Sequence, residues 1–188
     1  MDIRTQSKTL RTAISFISLL LIQLNSTFIY ADGTETLGPP SIAIGEGSGL
    51  IAAGVGLSGT NQPGDITFTV PAGATVVQAL LYWEGYMLDP PNNDGDSEIT
   101  VNTTAVTGTL IGGPIDIGTT PVSRSYVYRA DITSLVSDGA NSLTIEDMDF
   151  DGVNHGAGVL VIVDDGSAIA DIDVRDGNDF AYGPTSIP

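Results

Sequence analysis

The sequence predicts an all-β protein, and two observations support this. Short apolar or alternating runs recur from residue 41 to residue 176, and Gly, Pro, Asn and Asp separate them. Regular short strands with turn signals between them are typical of a sandwich or a barrel. The one segment with helical spacing is short, residues 130–139, where Asp131 can cap a single turn and Gly139 can end it. We therefore expect one β-domain over residues 41–188.

The predicted strands differ in how much of each is buried. Residues 65–70 alternate apolar side chains with threonines, which predicts one buried face. Residues 75–83 and 156–165 are apolar on both faces, which predicts central, covered strands, with Trp83 in the core. The full set of predicted strands is residues 41–45, 49–58, 65–70, 75–83, 97–102, 105–112, 123–130, 141–147, 156–165 and 168–176.

The N-terminus predicts export. Lys8 and Arg11 precede an apolar run over residues 13–24, and Ala31 supplies a small residue at a cleavage position, so residues 1–31 are interpreted as a signal peptide. The alternative is a membrane anchor, but the run is shorter than the roughly 20 apolar residues that span a bilayer. Residues 32–40 are interpreted as a flexible entry segment. We expect an extracellular or cell-surface protein with no transmembrane domain after cleavage.

The charge excludes one class of partner. The 188-residue chain carries a formal net charge of −17, with 6 Lys+Arg and 23 Asp+Glu, and three of those basic residues lie in the predicted leader. The remainder offers no basic surface to neutralise phosphates, so nucleic acid is excluded as a ligand. Most of the aspartates lie in Gly/Asn-containing loops, which favours cation binding, although turn chemistry alone also selects Asp. The chain has no cysteine and must be stable without disulfides.

Three segments together resemble a known group of domains. Residues 70–108, 126–147 and 156–167 are similar to β-sandwich modules of large secreted and cell-surface proteins of bacteria and archaea. The middle segment also resembles galactose-binding-like jelly rolls, in which a D-I-T-x-L turn precedes G-x-N-x-L-T-I. The resemblance covers about residues 70–176 and implies a jelly-roll-like antiparallel β-sandwich. It implies no specific activity.

The same resemblance raises a question about the C-terminus. In such modules, further strands normally follow the one equivalent to residues 168–176, whereas this chain stops at Pro188. We therefore expect either a small member of the group or a sandwich that is incomplete at its C-terminus. An exposed sheet edge would favour self-association or strand donation from a partner.

An aspartate-rich loop is the best candidate for a metal site. Asp147, Asp149 and Asp151, followed by Gly152, match the opening of a D-x-D-x-D-G calcium loop, whose alternate carboxylates converge on one cation. The twelfth position is Gly158 and not Glu, and the flanking segments are predicted strands, so the loop is not an EF-hand. The alternative is a solvated polar turn.

A second acidic loop could supply further ligands. Residues 89–98 contain Asp89, Asp94 and Asp96 together with asparagines, and clustered carboxylates repel each other unless a cation compensates them. Here too Asn, Asp, Pro and Gly suffice to explain a turn. Calcium is therefore the predicted cofactor, with candidate ligands Asp89, Asp94, Asp96, Asp147, Asp149 and Asp151.

The sequence gives little support for catalysis. His155 lies in "NHGAG", but no G-x-S-x-G nucleophile motif accompanies it, and a lone histidine without cysteines cannot form a zinc site. We interpret His155 as a loop residue. Paired carboxylates could serve a glycosidase, but so many acids make some suitable pair inevitable. We expect the protein not to be an enzyme.

Carbohydrate binding is the alternative function. Sandwich lectins stack exposed aromatic side chains on sugar faces, and Tyr86, Tyr126 and Tyr128 are the available candidates. Ordinary strand packing would equally explain Tyr126 and Tyr128. The predicted function is a non-catalytic exported surface module, structural or adhesive and calcium-stabilised, with other surface proteins or glycans as partners.

Overall fold

Two antiparallel sheets make up the computed structural model, which describes residues 37–59, 61–88, 95–117 and 123–179. The five-stranded sheet has the order β1-β9-β3-β7-β6, and the four-stranded sheet has the order β2-β8-β4-β5. This confirms the predicted all-β sandwich, while the more specific jelly-roll arrangement stays a prediction. The strands are β1 (Gly49–Gly56), β2 (Gly64–Val70), β3 (Thr75–Leu88), β4 (Glu98–Val101), β5 (Thr104–Thr107), β6 (Thr109–Ile117), β7 (Ser123–Asp131), β8 (Gly139–Glu146) and β9 (Val153–Asp164).

The longest strand, β3, lies at the centre of the five-stranded sheet, as predicted. It pairs with β7 on one side and with β9 on the other. Its side chains Ala79, Leu81 and Trp83 face the core and are almost completely buried. The Trp83 Nε1–H donates to the carbonyl of Asp96 at 2.8 Å, so the one polar atom of this ring is satisfied.

The core lies between the two sheets. The four-stranded sheet contributes fully buried aliphatic side chains from three of its strands, and burial of each such side chain contributes roughly 1.5–3 kcal/mol. These residues are Ile66, Val70, Ile99, Val101, Leu143 and Ile145. Their alternation with exposed threonines explains why the phase of β2 could be predicted from the sequence.

Gly108 divides one predicted strand into two. Residues 105–112 were predicted to form a single strand, but the chain instead leaves the four-stranded sheet after β5 and enters the five-stranded sheet as β6. At the crossing, a Cβ on Gly108 would overlap the ring of Trp83. The tryptophan therefore packs against bare backbone where the chain changes sheets.

Two predicted strands are wrong. Residues 41–45 and 168–176 are irregular segments, apart from an isolated bridge between Gly38 and Asp176. Both lie over the outer face of the five-stranded sheet, where polar side chains hold them. The Gln78 amide donates to the carbonyl of Ala43 at 3.1 Å and accepts from the N–H of Gly45 at 2.9 Å. Alternate residues of these two segments are apolar because the segments contact this face, and not because they form strands.

A buried ion pair holds the C-terminal segment. Arg129 of β7 is 2% exposed and is bonded to the carboxylate of Asp176. Its other nitrogen, Nη2, donates to Ser41 Oγ at 3.2 Å. One guanidinium on the outer face of the sheet therefore fixes both the segment before β1 and the segment after β9.

The predicted helical piece is a single 3-10 turn, Thr133–Leu135, between β7 and β8. The Asp131 carboxylate accepts from the N–H of Thr133 at 3.0 Å and from its hydroxyl at 2.6 Å. Ile132 is 2% exposed and anchors the turn in the core. The aspartate thus hydrogen-bonds the first residue of the turn, although the capping position itself is Ile132. The predicted end at Gly139 is wrong, because the turn ends at Leu135 and Gly139 begins β8.

The predicted signal peptide, residues 1–31, lies outside the described residues, as does most of the entry segment. Within the described part of the chain, no helix has the length and apolarity that crossing a membrane would require.

Candidate functional site

The aspartate-rich loop, residues 147–152, connects β8 in one sheet to β9 in the other. Met148 and Phe150 are buried, whereas Asp147, Asp149 and Asp151 are exposed. The Phe150 ring lies 6.5 Å from the Tyr128 ring, measured between centroids. Because Phe150 packs in the core in this way, it fixes the position of the loop. The alternate carboxylates are therefore held at the surface by the alternate apolar anchors.

A pair of amide side chains fixes the backbone of this loop. The Gln62 amide donates to the carbonyl of Met148 and accepts from its N–H, both at 2.8 Å. Asn154 donates to the same carbonyl at 3.0 Å and accepts from the N–H of Phe150 at 3.0 Å. Sequence reasoning missed both residues, because an isolated Gln before a proline carries no recognisable signal.

The structure brings the two predicted acidic loops together. The N–H of Asp149 donates to the Asp96 carboxylate at 2.7 Å, and the N–H of Glu98 lies 3.4 Å from its other oxygen. Burial raises the pKa of the Asp96 carboxyl above its ordinary value; the Asp149 and Glu98 charges raise it further, and the two backbone hydrogen bonds only partly offset this. The negative charge of Asp96 is thus incompletely compensated in the folded protein.

The other predicted ligands are placed differently. Asp151 accepts from the N–H of Leu88 at 2.6 Å, which ties the loop to the end of β3. Asp147 is exposed and has a φ of 64°, a left-handed conformation that Asp tolerates better than most residues. Asp89 and Asp94 lie outside the described residues. Among the residues described, no three His, Asp or Glu side chains are grouped so that they could hold a metal ion, and calcium stays a prediction.

A second candidate site lies on the outer face of the five-stranded sheet. A cavity of about 370 Å³ is open there, and its lining includes Tyr82, Glu84, Val127, His155, Gly156 and Gly158. The interpretation of His155 as a loop residue is wrong, since it lies in β9 at a bulge: Gly156 pairs with Glu84 and Asn154 pairs with Gly85. The extra residue of a bulge often carries a redirected side chain.

His155 contacts two residues of β3. Its Nδ1 lies 3.3 Å from Glu84 Oε1, and its ring lies edge-on to Tyr86 with 5.5 Å between centroids. The same Glu84 oxygen accepts from the Ser125 hydroxyl at 3.1 Å, and that hydroxyl accepts from Asn178 at 2.8 Å. Glu84 stands between the serine and the histidine, which is not the order of a Ser-His-acid triad.

The aromatic residues proposed for sugar stacking are not equivalent. Tyr126 and Tyr128 are 2% and 3% exposed, and Tyr128 stacks on Trp83 with 5.7 Å between ring centroids. Neither can present a face to a ligand. Tyr86 is half-buried and lies between the two candidate sites, because it contacts His155 and its carbonyl accepts from the N–H of Gly152 at 3.1 Å.

The arginines of the described region do not form a basic surface. Arg124 is 2.7 Å from Asp116, Arg175 is 2.8 Å from Asp173, and Arg129 is paired with Asp176. The surroundings of both candidate sites are therefore acidic, which favours cationic or neutral ligands over anions.

In comparisons with known proteins, no family model, curated protein or solved structure matches this chain. The resemblance to surface β-sandwich modules therefore stays a prediction. A β-sandwich alone does not imply a function, so the function has to be argued from the sites themselves.

Proposed function

We propose that this protein is a non-catalytic, exported β-sandwich module of the extracellular surface, with a structural or adhesive role. In this proposal, calcium stabilises the end of the sandwich at which its two acidic loops meet. The observation that carries the proposal is the contact between Asp149 and Asp96, which joins two acidic loops that are far apart in the sequence. Incomplete compensation of Asp96, with its pKa raised first by burial and then by neighbouring carboxylates, supports a bound cation.

The location of this contact suggests a structural role. Asp96 precedes β4 of the four-stranded sheet, whereas the loop with Asp149 leads into β9 of the five-stranded sheet. A cation held there would link the ends of both sheets. Calcium takes six to eight oxygen ligands in flexible geometry and accepts backbone carbonyls and water beside carboxylates. The Asp96 carboxylate, with the Asp149 charge close enough to raise its pKa, can thus begin a site that the loop backbone and water complete.

Thermal unfolding of the chain without its predicted leader tests this proposal. Calcium at about a hundred times its Kd would add about 2.7 kcal/mol of stability, and excess chelator would remove it. For a domain of this size we expect a shift of about 5–11 °C in Tm. Asp149→Asn should abolish the shift. Asp138→Asn, which removes an exposed carboxylate at the opposite end of β8, should retain it. An unchanged midpoint with calcium, or a full shift in Asp149→Asn, would contradict the proposal.

An exposed strand favours the adhesive form of this role. Among the described strands, β1 ends the five-stranded sheet and pairs only with β9. Its sequence, GLIAAGVG, has neither charge nor proline, the features that normally protect an edge. We expect concentration-dependent association in sedimentation velocity, and Ala52→Lys should suppress it. A monomer at all concentrations would contradict this form of the proposal.

A further inference from the structure

Four glycines form a bare patch on the outer face of the five-stranded sheet. In the register of β1 with β9, Gly54 pairs with Gly158 and Gly56 pairs with Gly156. All four occupy outer positions, because the residues between them, such as Val55 and Ala157, pack toward the core. On the outer face, β1 and β9 therefore carry no side chain at two successive pairs of residues. Glycine within a strand weakens it and often marks a close approach by a ligand or another backbone.

Side chains of β3 wall this glycine patch on one side. Tyr82 pairs with Gly158 and Glu84 pairs with Gly156, so both stand directly beside the patch. Val127 of β7 follows on the far side of Glu84, and His155 lies at the end of the patch. These side chains, together with Gly156 and Gly158 of the patch and Val55 between its other two glycines, line the cavity of about 370 Å³, at the low end of the roughly 300–1,000 Å³ of small-molecule sites.

We propose that the glycine patch and its wall bind a neutral sugar ring. The four glycines span about 5 Å across the strands and about 7 Å along them, which is the footprint of a single six-membered ring lying flat on the sheet. Tyr82 contributes an aromatic surface against which ring carbons pack, as in other amphipathic recognition by tyrosine.

The hydrogen-bonding groups of the wall suit hydroxyl donors. Glu84 Oε1 accepts from Ser125 and contacts His155, whereas no hydrogen bond of the described residues engages its Oε2. When His155 donates its Nδ1–H to Glu84, its Nε2 is left as an acceptor. The site thus offers acceptors on one side of a flat floor. No arginine lines it, and the chain's net charge of −17 disfavours phosphorylated or acidic sugars.

This site is separate from the proposed calcium contact, so the two can fail independently. None of its lining residues belongs to the pair Asp96 and Asp149. Sugar binding is therefore expected to persist in excess chelator. Loss of the calcium effect would leave this inference standing, and loss of sugar binding would leave the calcium proposal standing.

The test uses a panel of methyl glycosides of glucose, galactose, mannose and N-acetylglucosamine, with binding followed by backbone chemical-shift changes in the chain without its predicted leader. We expect at least one glycoside to bind with a Kd near about 1 mM and to shift the amides of residues 54–56 and 156–158. Gly158→Leu should weaken binding at least tenfold. A Cβ there meets only the Ala53 carbonyl, at 3.5 Å, so the leucine fills the cavity without disturbing the strand.

Two further variants complete the design. Glu84→Gln retains the shape of the wall but exchanges a carboxylate for an amide, and it should also weaken binding about tenfold. Thr67→Leu places the same side chain at an exposed position of β2 in the other sheet, and it should bind like the native protein. The proposal is overturned if no glycoside binds at about 10 mM, if Gly158→Leu binds normally, or if arginine methyl ester binds at this site while the glycosides do not.

Discussion

Removal of the Asp176 carboxylate gives a sharp test of how the irregular segments are held. In Asp176→Ala, the Arg129 guanidinium would remain at a position that is 2% exposed, without its charged partner. Breaking a buried ion pair in this way costs about 3–5 kcal/mol. Because Arg129 keeps its 3.2 Å bond to Ser41, we expect the lower end, about 3 kcal/mol, or a loss of about 6–12 °C in Tm.

Urea unfolding followed by tryptophan fluorescence would measure this loss, since Trp83 is the chain's only tryptophan and lies in the core. The control is Asp173→Ala, which removes the partner of Arg175 from an exposed pair and should cost well under about 1 kcal/mol. Hydrogen exchange should show residues 168–179 losing protection in Asp176→Ala. If Asp176→Ala and Asp173→Ala unfold at the same urea concentration, the guanidinium does not hold these segments as described.

Two further predictions concern the core and the pH dependence. Gly108→Ala should lower stability by about 1–3 kcal/mol in urea unfolding, because its Cβ would overlap the Trp83 ring; a stability equal to that of the native chain would refute this contact. Burial raises the pKa of Asp131, but hydrogen bonds from Thr133 and Gln78 and the charge of Arg129 outweigh it, so the pKa lies below its ordinary value. Such a group stabilises the fold above its unfolded pKa, and this contribution is lost as the pH falls through the folded pKa. Urea midpoints from about pH 6 down to about pH 2 should therefore fall less in Asp131→Asn than in the native chain, and equal pH profiles would contradict this.

Much of the fold follows from local pattern. Strands such as β2 and β3 could be predicted because alternation of apolar and polar residues reports which face is buried. The same pattern was misleading at residues 41–45, because contact with the sheet surface also buries alternate side chains without adding a strand. There the deciding partners are Gln78 of β3 and Arg129 of β7, polar residues on strands far away in the sequence. The division at Gly108 depends on the position of Trp83, which local sequence does not report.

The candidate sites, too, could be predicted from the sequence only in part. The D-x-D-x-D-G pattern pointed to the loop at residues 147–152, and strands flank it as predicted, although β9 begins at Val153 and not at residue 156. Its contact with Asp96 requires the packing of two loops and could only be suggested from the charge of both. The glycine patch depends on the register between β1 and β9. A signal was present, since G-x-G occurs at residues 54–56 and again at residues 156–158 within strand patterns, but only pairing shows that the two coincide.

We propose that a calcium ion binds between Asp96 and Asp149 at the end of the sandwich. The most direct test is an NMR titration of the Asp96 carboxyl carbon, performed once with calcium and once with excess chelator. Without calcium, the pKa of Asp96 should lie above its ordinary value of 3.8, because burial and neighbouring carboxylates disfavour its charge. A bound cation favours the charged form, so calcium should lower this pKa clearly. The same titration curve in both solutions would mean that no calcium ion binds at Asp96.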